Sequence, residues 1–261
     1  MKRPSRLDYA YAVGRVRALE RKLIERAVFT EAAEEKDLPS ALKIVFDAGE
    51  FPEEMAKIIN SEELDDFLEK EEKMLLSLVE EIFLQKDILE VFLEERRPEK
   101  ALKISERVDY SFIHDYLRHK IDLANLKTLG RLKYLGAKRE KLEKFILKGG
   151  FLDERILLQN FEATFGDIGG KIQATPYAEL WNRGIDTLEE KETFIELERG
   201  IEDFLMTYLR RAKYIVFGPE PVFAYGLAKR RELNLIRLLG IGKLSHIPPL
   251  LLKQRISETY V

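Results

Sequence analysis

Apolar residues recur at steps of three and four along most of the chain. Between Arg6 and Glu35 they fall at Tyr9, Val13, Val16, Leu19, Leu23 and Ala27, which predicts one long helix. Asp37-Leu38-Pro39 predicts a new, shorter start, because Asp caps well and Pro is tolerated in a first turn. Phe51-Pro52 divides it from the next element. From Ser61 to about Arg97 a long acidic amphipath carries Leu64, Leu68, Leu75, Val79, Ile82, Leu89 and Leu93 on one stripe, the spacing of a helix lying along another helix. Pro98 ends that element.

Helical periodicity resumes from Tyr110 to about Gly136 and continues through Glu140 to Leu147. It breaks at Lys148-Gly149-Gly150, where glycine permits a left-handed C-cap. The glycine-rich stretch Phe165 to Thr175 reads as a loop, and Thr175-Pro176 as the start of the next helix. Thr187-Leu188-Glu189-Glu190 has capping-box spacing and predicts a long helix running to about Phe217. Gly218-Pro219 stops it, Pro221 to Leu239 forms another, and Gly240 through Pro249 turns the chain into a last short helix. No period-two stretch marks a strand, so the fold class is all-α.

One regularity points to repetition. Tyr11, Tyr116 and Tyr225 each stand early in a long helix, and a base follows four positions later at Arg15, Lys120 and Lys229. Five further on are Glu20, Asn125 and Asn234. Each long helix leads into a break and a short helix, opening near Leu38, Leu152 and Ile247. This predicts three related helical modules over residues 1–108, 109–217 and 218–261, the last one shortened, within one structural unit.

Composition narrows the chemistry. With 261 residues, 45% of them hydrophobic and 35% charged, the chain can bury a sizeable core beneath a densely charged exterior. It has no cysteine, which excludes disulfides, thiolate ligands and a cysteine nucleophile, and points to a reducing cytoplasm. A net charge of −3 from 44 basic and 47 acidic residues selects no polyanionic partner. No apolar run reaches the ~18 residues of a membrane span, so a soluble, non-secreted chain is expected.

Candidate chemistry is sparse. His114 and His119 are five apart and diverge on a helix, so with His246 they make no zinc constellation. Gly166-Asp167-Ile168-Gly169-Gly170-Lys171 and Gly240-Ile241-Gly242-Lys243 lack the spacing and the Ser or Thr of a phosphate-binding loop. Paired carboxylates such as Glu53-Glu54 and Glu94-Glu95 lie side by side in charged helical stretches. Basic clusters at Arg15, Arg17, Arg21 and Lys22, at Arg210, Arg211 and Lys213, and at Lys229, Arg230 and Arg231 accompany no nucleic-acid motif. They favour a protein partner or a membrane surface. No enzyme, cofactor, metal, nucleic acid or small-molecule substrate is expected.

Three ordered segments carry a family resemblance. Tyr9-Ala10-Tyr11-Ala12-Val13-Gly14-Arg15-Val16-Arg17-Ala18-Leu19-Glu20 opens the chain. Asp122-Leu123-Ala124-Asn125-Leu126 with Leu147-Lys148-Gly149-Gly150 occupies the middle. Tyr225, Lys229, Glu232, Arg237 and Gly242-Lys243 close it. Together they resemble the C subunit of the archaeal and bacterial V/A-type ATPases, related to the d subunit of vacuolar ATPases. The resemblance implies a funnel-like, pseudo-threefold body of helices that rests on the membrane proteolipid ring, receives the D/F central shaft and transmits torque between them. It places the protein in the cytoplasm, peripheral to the membrane. Docking contacts are implied at Arg15, Arg17, Asn125, Asn234, Arg237 and Lys243, with Asn125 and Asn234 open to a second reading as bonds inside the protein. The chain is shorter than the usual member, and Leu235 stands where the family has its last Asn. An unrelated solenoid-like helical scaffold is the alternative.

Overall fold

The computed structural model describes residues 4–261, and among these every regular element is helical. In order they are α1 (Ala10–Glu20), α2 (Arg26–Ala32), α3 (Leu38–Ala48), α4 (Ser61–Ile82), α5 (Lys86–Leu93), α6 (Pro98–Ser105), α7 (Ser111–Tyr134), α8 (Arg139–Phe145), α9 (Glu154–Gln159), α10 (Phe165–Lys171), α11 (Ala178–Lys191), α12 (Ile195–Arg210), α13 (Glu220–Leu244) and α14 (Pro249–Arg255). Short 3-10 turns occupy Arg6–Tyr9, Glu53–Lys57 and Arg211–Tyr214. The chain forms two compact units. The first joins the residues up to Leu89 to Met206–Val261, and the second is the continuous segment Glu90–Leu205.

Several starts and stops follow from local chemistry. The Asp37 carboxylate accepts from Ser40 N at 2.9 Å and opens α3, with Pro39 in its first turn. Asn60 does the same for α4 through Glu63 N. Gly149 has φ +94° and Gly218 φ +119°, left-handed values that disfavour a side chain.

Other boundaries differ from the sequence expectation. The helix expected over Arg6 to Glu35 is interrupted between α1 and α2, because Ile24 N donates to the Glu232 carboxylate at 2.7 Å instead of to a carbonyl one turn back. The amphipath from Ser61 to Arg97 breaks after Ile82, where Phe83 is extended. That break turns the register, so Ile88, Val91 and Phe92 face inward while Leu93 is exposed. Pro98 takes the first position of α6 rather than merely ending its predecessor. Residues 165–171 are helix, not loop: Thr164 and Asp167 form a reciprocal capping box just ahead of the glycines. Finally, Thr187 caps nothing. It sits inside α11 and its hydroxyl donates to Arg183 O, four residues back.

In the first unit α13 is the central element, and its Leu235, Ile236 and Leu239 share a core with Phe29, Leu42, Met55 and Leu64. It runs antiparallel to α4. Arg237 meets Asp65 at 3.5 Å and Arg230 meets Glu72 at 3.1 Å. Both steps are seven residues, so acid and base return to the same edge every two turns. Gly240 allows the close approach, since a methyl there would overlap the Leu64 side chain. In the second unit α7 buries Ile113, Leu117, Ile121, Leu126 and Leu129, and Leu157, Ile168, Trp181 and Leu197 are buried as well.

Candidate functional site

The polar architecture of α7 explains the middle landmark. Asp122 and Asn125 are three apart, hence on one face, and both grip the turn after α8. Asn125 Nδ2 donates to Leu147 O and its Oδ1 accepts from Leu147 N, both at 2.8 Å. Asp122 accepts from Phe151 N at 2.9 Å, Leu152 N at 3.1 Å and the Tyr177 hydroxyl at 2.8 Å. Burial raises its pKa above the usual carboxylate range, opposed by those hydrogen bonds and by the Arg118 charge. Gly150 has to lack a side chain, because its Cβ would stand 2.8 Å from Asp122 Cγ and nearer still to Oδ1. The Asp-x-x-Asn helix and the Leu-Lys-Gly-Gly turn are therefore one interlocked structure.

Eleven residues after Asp122, on the same side of α7, Lys133 donates to Phe161 O at 2.5 Å and Ala163 O at 2.6 Å. The short helix α9 is thus held at both ends. A carboxylate meets the free N–H groups before it and an ammonium meets the free carbonyls after it, the polarity that the helix dipole favours.

The first unit repeats this clamp. Glu232 accepts from Ile24 N ahead of α2, and Lys243 donates to Ala33 O at 2.7 Å and to Glu35 O behind it. Residues 122 and 133 map onto 232 and 243 at an offset of 110, and 24, 33 and 35 map onto 152, 161 and 163 at an offset of 128. The left-handed residues after each long helix, Gly136 and His246, keep the offset of 110. So do α8 and α14. In this register Tyr116 does not pair with Tyr225, and Asn125 pairs with Leu235. Tyr11 is 76% exposed whereas Tyr116 is buried and donates to Glu95 at 2.8 Å, so the tyrosines have no common role.

The six expected docking residues divide evenly. Two are buried, and a third, Arg17, is partly exposed but tied to the body. Asn125 is 3% exposed and Lys243 6%. Burial lowers the pKa of Lys243. Arg17 is held by Glu20 Oε1 and Oε2 and by the carbonyls of Ala212, Lys213 and Ile215. The other three reach the surface: Arg15 pairs with Glu81 at 2.6 Å, Arg237 pairs with Asp65, and Asn234 is exposed with no hydrogen bond.

The two histidines of α7 have partners inside the second unit. His119 is packed among Phe151, Tyr177 and Phe204, with Nδ1 2.6 Å from the Tyr177 hydroxyl, whose own pKa is raised by burial. His114 meets Ser105 Oγ at 3.0 Å. Among the described residues no group of three or more His, Asp or Glu is placed to hold a metal ion, and no helix is long and apolar enough to cross a membrane. Both glycine-lysine stretches lie in helices, Gly166–Lys171 in α10 and Gly240–Lys243 in α13.

Residues 37–255 match the model of the ATP synthase (C/AC39) subunit, a stretch that includes α7, α13 and the clamp around α9. The chain belongs to this family. The relatives it matches are C subunits of V-type and A-type ATPases. The chain is 28% identical over 169 residues to the C subunit of the V-type sodium ATPase of Enterococcus hirae, covering 65% of this chain and 49% of that protein. It is 25% identical over 161 residues to the C subunit of the A-type ATP synthase of Halobacterium salinarum, covering 61% and 46%. For the corresponding A-type ATP synthase protein of Haloferax volcanii the figures are 26% over 136 residues, 52% and 39%. The chain spans about half the length of the curated relatives it matches. Family membership removes the unrelated solenoid as an alternative.

Sequence reasoning did not single out Lys133, nor Asp122 and Glu232 as partners of backbone N–H groups. The available signal was the pair of acid and lysine eleven residues apart, present twice at an offset of 110.

Proposed function

We propose that this C/AC39 chain is a central-stalk coupling subunit of a V/A-type ATPase, seated on the proteolipid ring and receiving the D/F shaft, so that ring rotation is passed on as torque. The observation that carries the reading is the family match together with the doubled clamp. A torque coupler has to resist shear between helices, and the clamps tie helices by charged bonds at both ends in place of sliding apolar contact alone. The grip of α13 on α2, the last long helix on the first short one, supports a cyclic order of modules, and we retain 1–108, 109–217 and 218–261 as those modules in a pseudo-threefold funnel. Docking contacts fall to Arg15, Asn234 and Arg237, whose side chains reach solvent. Arg17, Asn125 and Lys243 act by holding the body together. The complex would place the chain at the cytoplasmic side of the membrane.

The test is native mass spectrometry of the purified protein mixed with the D/F shaft and, separately, with proteolipid rings from the same source. A complex with each partner is expected, weakened by the triple change Arg15→Ala, Asn234→Ala and Arg237→Ala. Absence of both complexes with folded partners refutes the role.

A further inference from the structure

The first unit has a bare apolar patch that the coupling role does not account for. Tyr214 is 88% exposed and Val216 66%, and Phe217 is exposed as well. On the turn whose Arg6 bonds to Phe217 O, Leu7 is 64% exposed. The neighbourhood of these segments is fixed by hydrogen bonds: Arg6 Nη2 donates to Phe217 O at 2.7 Å, and Arg17 Nη2 donates to Ala212 O at 2.8 Å and Ile215 O at 3.0 Å. Residues 211–217 therefore run alongside the start of the chain, tied down along their length.

The base of this loop is rigid. Gly218 has φ +119°, and Arg6 bridges from Phe217 O to the buried Glu220 carboxylate at 2.8 Å. Its tip is not covered. Such rigidity means that little ordering entropy is lost when the exposed rings are buried against something else.

Charge indicates what that something is. The stretch Arg211-Ala212-Lys213-Tyr214-Ile215-Val216-Phe217-Gly218-Pro219 contains two cations and no acid. Neither cation makes an ion pair: Arg211 lies 5.0 Å from the Tyr208 ring and Lys213 4.9 Å from the Tyr260 ring, with the Glu20 charge acting on Lys213 from beyond ion-pair distance. The nearby acids are spoken for, with Glu20 taken by Arg17 and Tyr260, Glu220 by Arg6, and Asp8 by the N–H of Ser5. Aromatic and aliphatic side chains projecting next to bases that make no ion pair match the layer where acyl chains meet anionic headgroups. A fluid surface moulds itself around projecting side chains, whereas a protein partner has to offer a pre-shaped socket.

We infer that residues 211–217, with Leu7, form a peripheral docking surface for an anionic lipid bilayer. Tyr214, Val216 and Phe217 enter the interface and Arg211 and Lys213 meet the headgroups. This goes beyond the coupling role and does not depend on it, because it requires no other subunit.

The experiment is flotation of the purified chain with protein-free vesicles of phosphatidylcholine alone and of phosphatidylcholine mixed with phosphatidylglycerol. Binding to the mixed vesicles and not to the neutral ones is expected. Arg211→Gln and Lys213→Gln should each weaken it roughly fivefold, the factor for one charge near an anionic surface. Tyr214→Ser combined with Val216→Ser should remove most of the remainder without altering the circular dichroism melt. A Tyr214→Trp reporter should shift its emission to the blue on mixed vesicles, against a constant background from the buried Trp181. Equal floating with neutral vesicles, no floating with either, or unchanged floating of the serine double variant overturns the proposal. So does a result in which the serine variant floats normally but no longer captures the D/F shaft or the ring, which assigns the patch to a protein. Failure with vesicles while shaft and ring capture persist overturns the lipid surface and leaves the coupling role intact.

Discussion

Gly150→Ala is the sharpest test of the interlock between α7 and the turn after α8. The new methyl would stand 2.8 Å from Asp122 Cγ, and Asp122 has no free direction to retreat, being wholly buried. Relief requires the carboxylate to withdraw from Phe151 N and Leu152 N, at 2.9 and 3.1 Å. Each hydrogen bond to a charged group is worth roughly 1.5–3 kcal/mol. Losing both, less what the turn recovers by relaxing, gives an expected destabilisation of about 3 kcal/mol, or a fall in Tm of about 6–12 °C at 2–4 °C per kcal/mol for a domain of comparable size. Urea denaturation followed by fluorescence suits the measurement, because the single tryptophan, Trp181, is buried in the same unit. The decisive form is a double-mutant cycle. In an Asp122→Ala background, itself strongly destabilised, the same Gly150→Ala change should cost less than about 1 kcal/mol, because the obstruction is gone. An equal penalty in both backgrounds, or a wild-type midpoint for Gly150→Ala alone, would refute the steric account.

Two further outcomes follow from the buried charges. Lys243→Met and Lys133→Met should each lower stability by about 2–3 kcal/mol, since each leaves carbonyls behind a short helix without their donor. Arg237→Met, at an exposed ion pair, should change it by less than about 0.5 kcal/mol, and thermal melts that fail to rank the three in that way count against the clamp. Glu71 is buried with Oε1 unpartnered; burial raises its pKa above its ordinary 4.5, Lys229 opposes the shift and Glu232 adds to it. A raised folded pKa means that its contribution is fully present below pH 4.5 and is lost as pH rises through the folded value. Glu71→Gln should therefore be more stable than wild type at neutral pH by on the order of 1 kcal/mol, with the two converging below about pH 4.5. Parallel stability curves from pH 4 to 7 would contradict this.

What was legible in the sequence was what neighbours within a turn decide. Asp37 caps and Pro39 opens because the groups they serve are adjacent, and Gly149 turns left because it carries no Cβ of its own. The interruption between α1 and α2 was hidden because the acceptor of Ile24 N is Glu232, 208 residues away. The glycines of α10 misled for a related reason: the cap, Thr164, sits two residues before the first of them, and Gly169 is selected by Asn182 and Trp181, either of which would meet an added Cβ. The docking residues show the same limit. A polar side chain on a helix has one appearance in sequence whether it faces solvent, as Asn234 does, or grips a backbone 22 positions on, as Asn125 does. The family resemblance marks Lys243 for docking and leaves Asn125 open between docking and an internal bond, and the structure holds both as internal ties.

The two units also have different histories on the ribosome. The second is one unbroken stretch, so its clamp closes as soon as α9 has followed α7 out of the exit tunnel. The first has to wait. Its α2, α3 and α4 emerge early with their apolar faces bare, and α13, which covers them, is not made until more than a hundred further residues have been added. At ordinary elongation rates that is a delay on the order of ten seconds. During that interval the nascent N-terminal helices are a natural client for chaperones, and any slowing of translation between the codons for Glu90 and Leu205 lengthens their exposure.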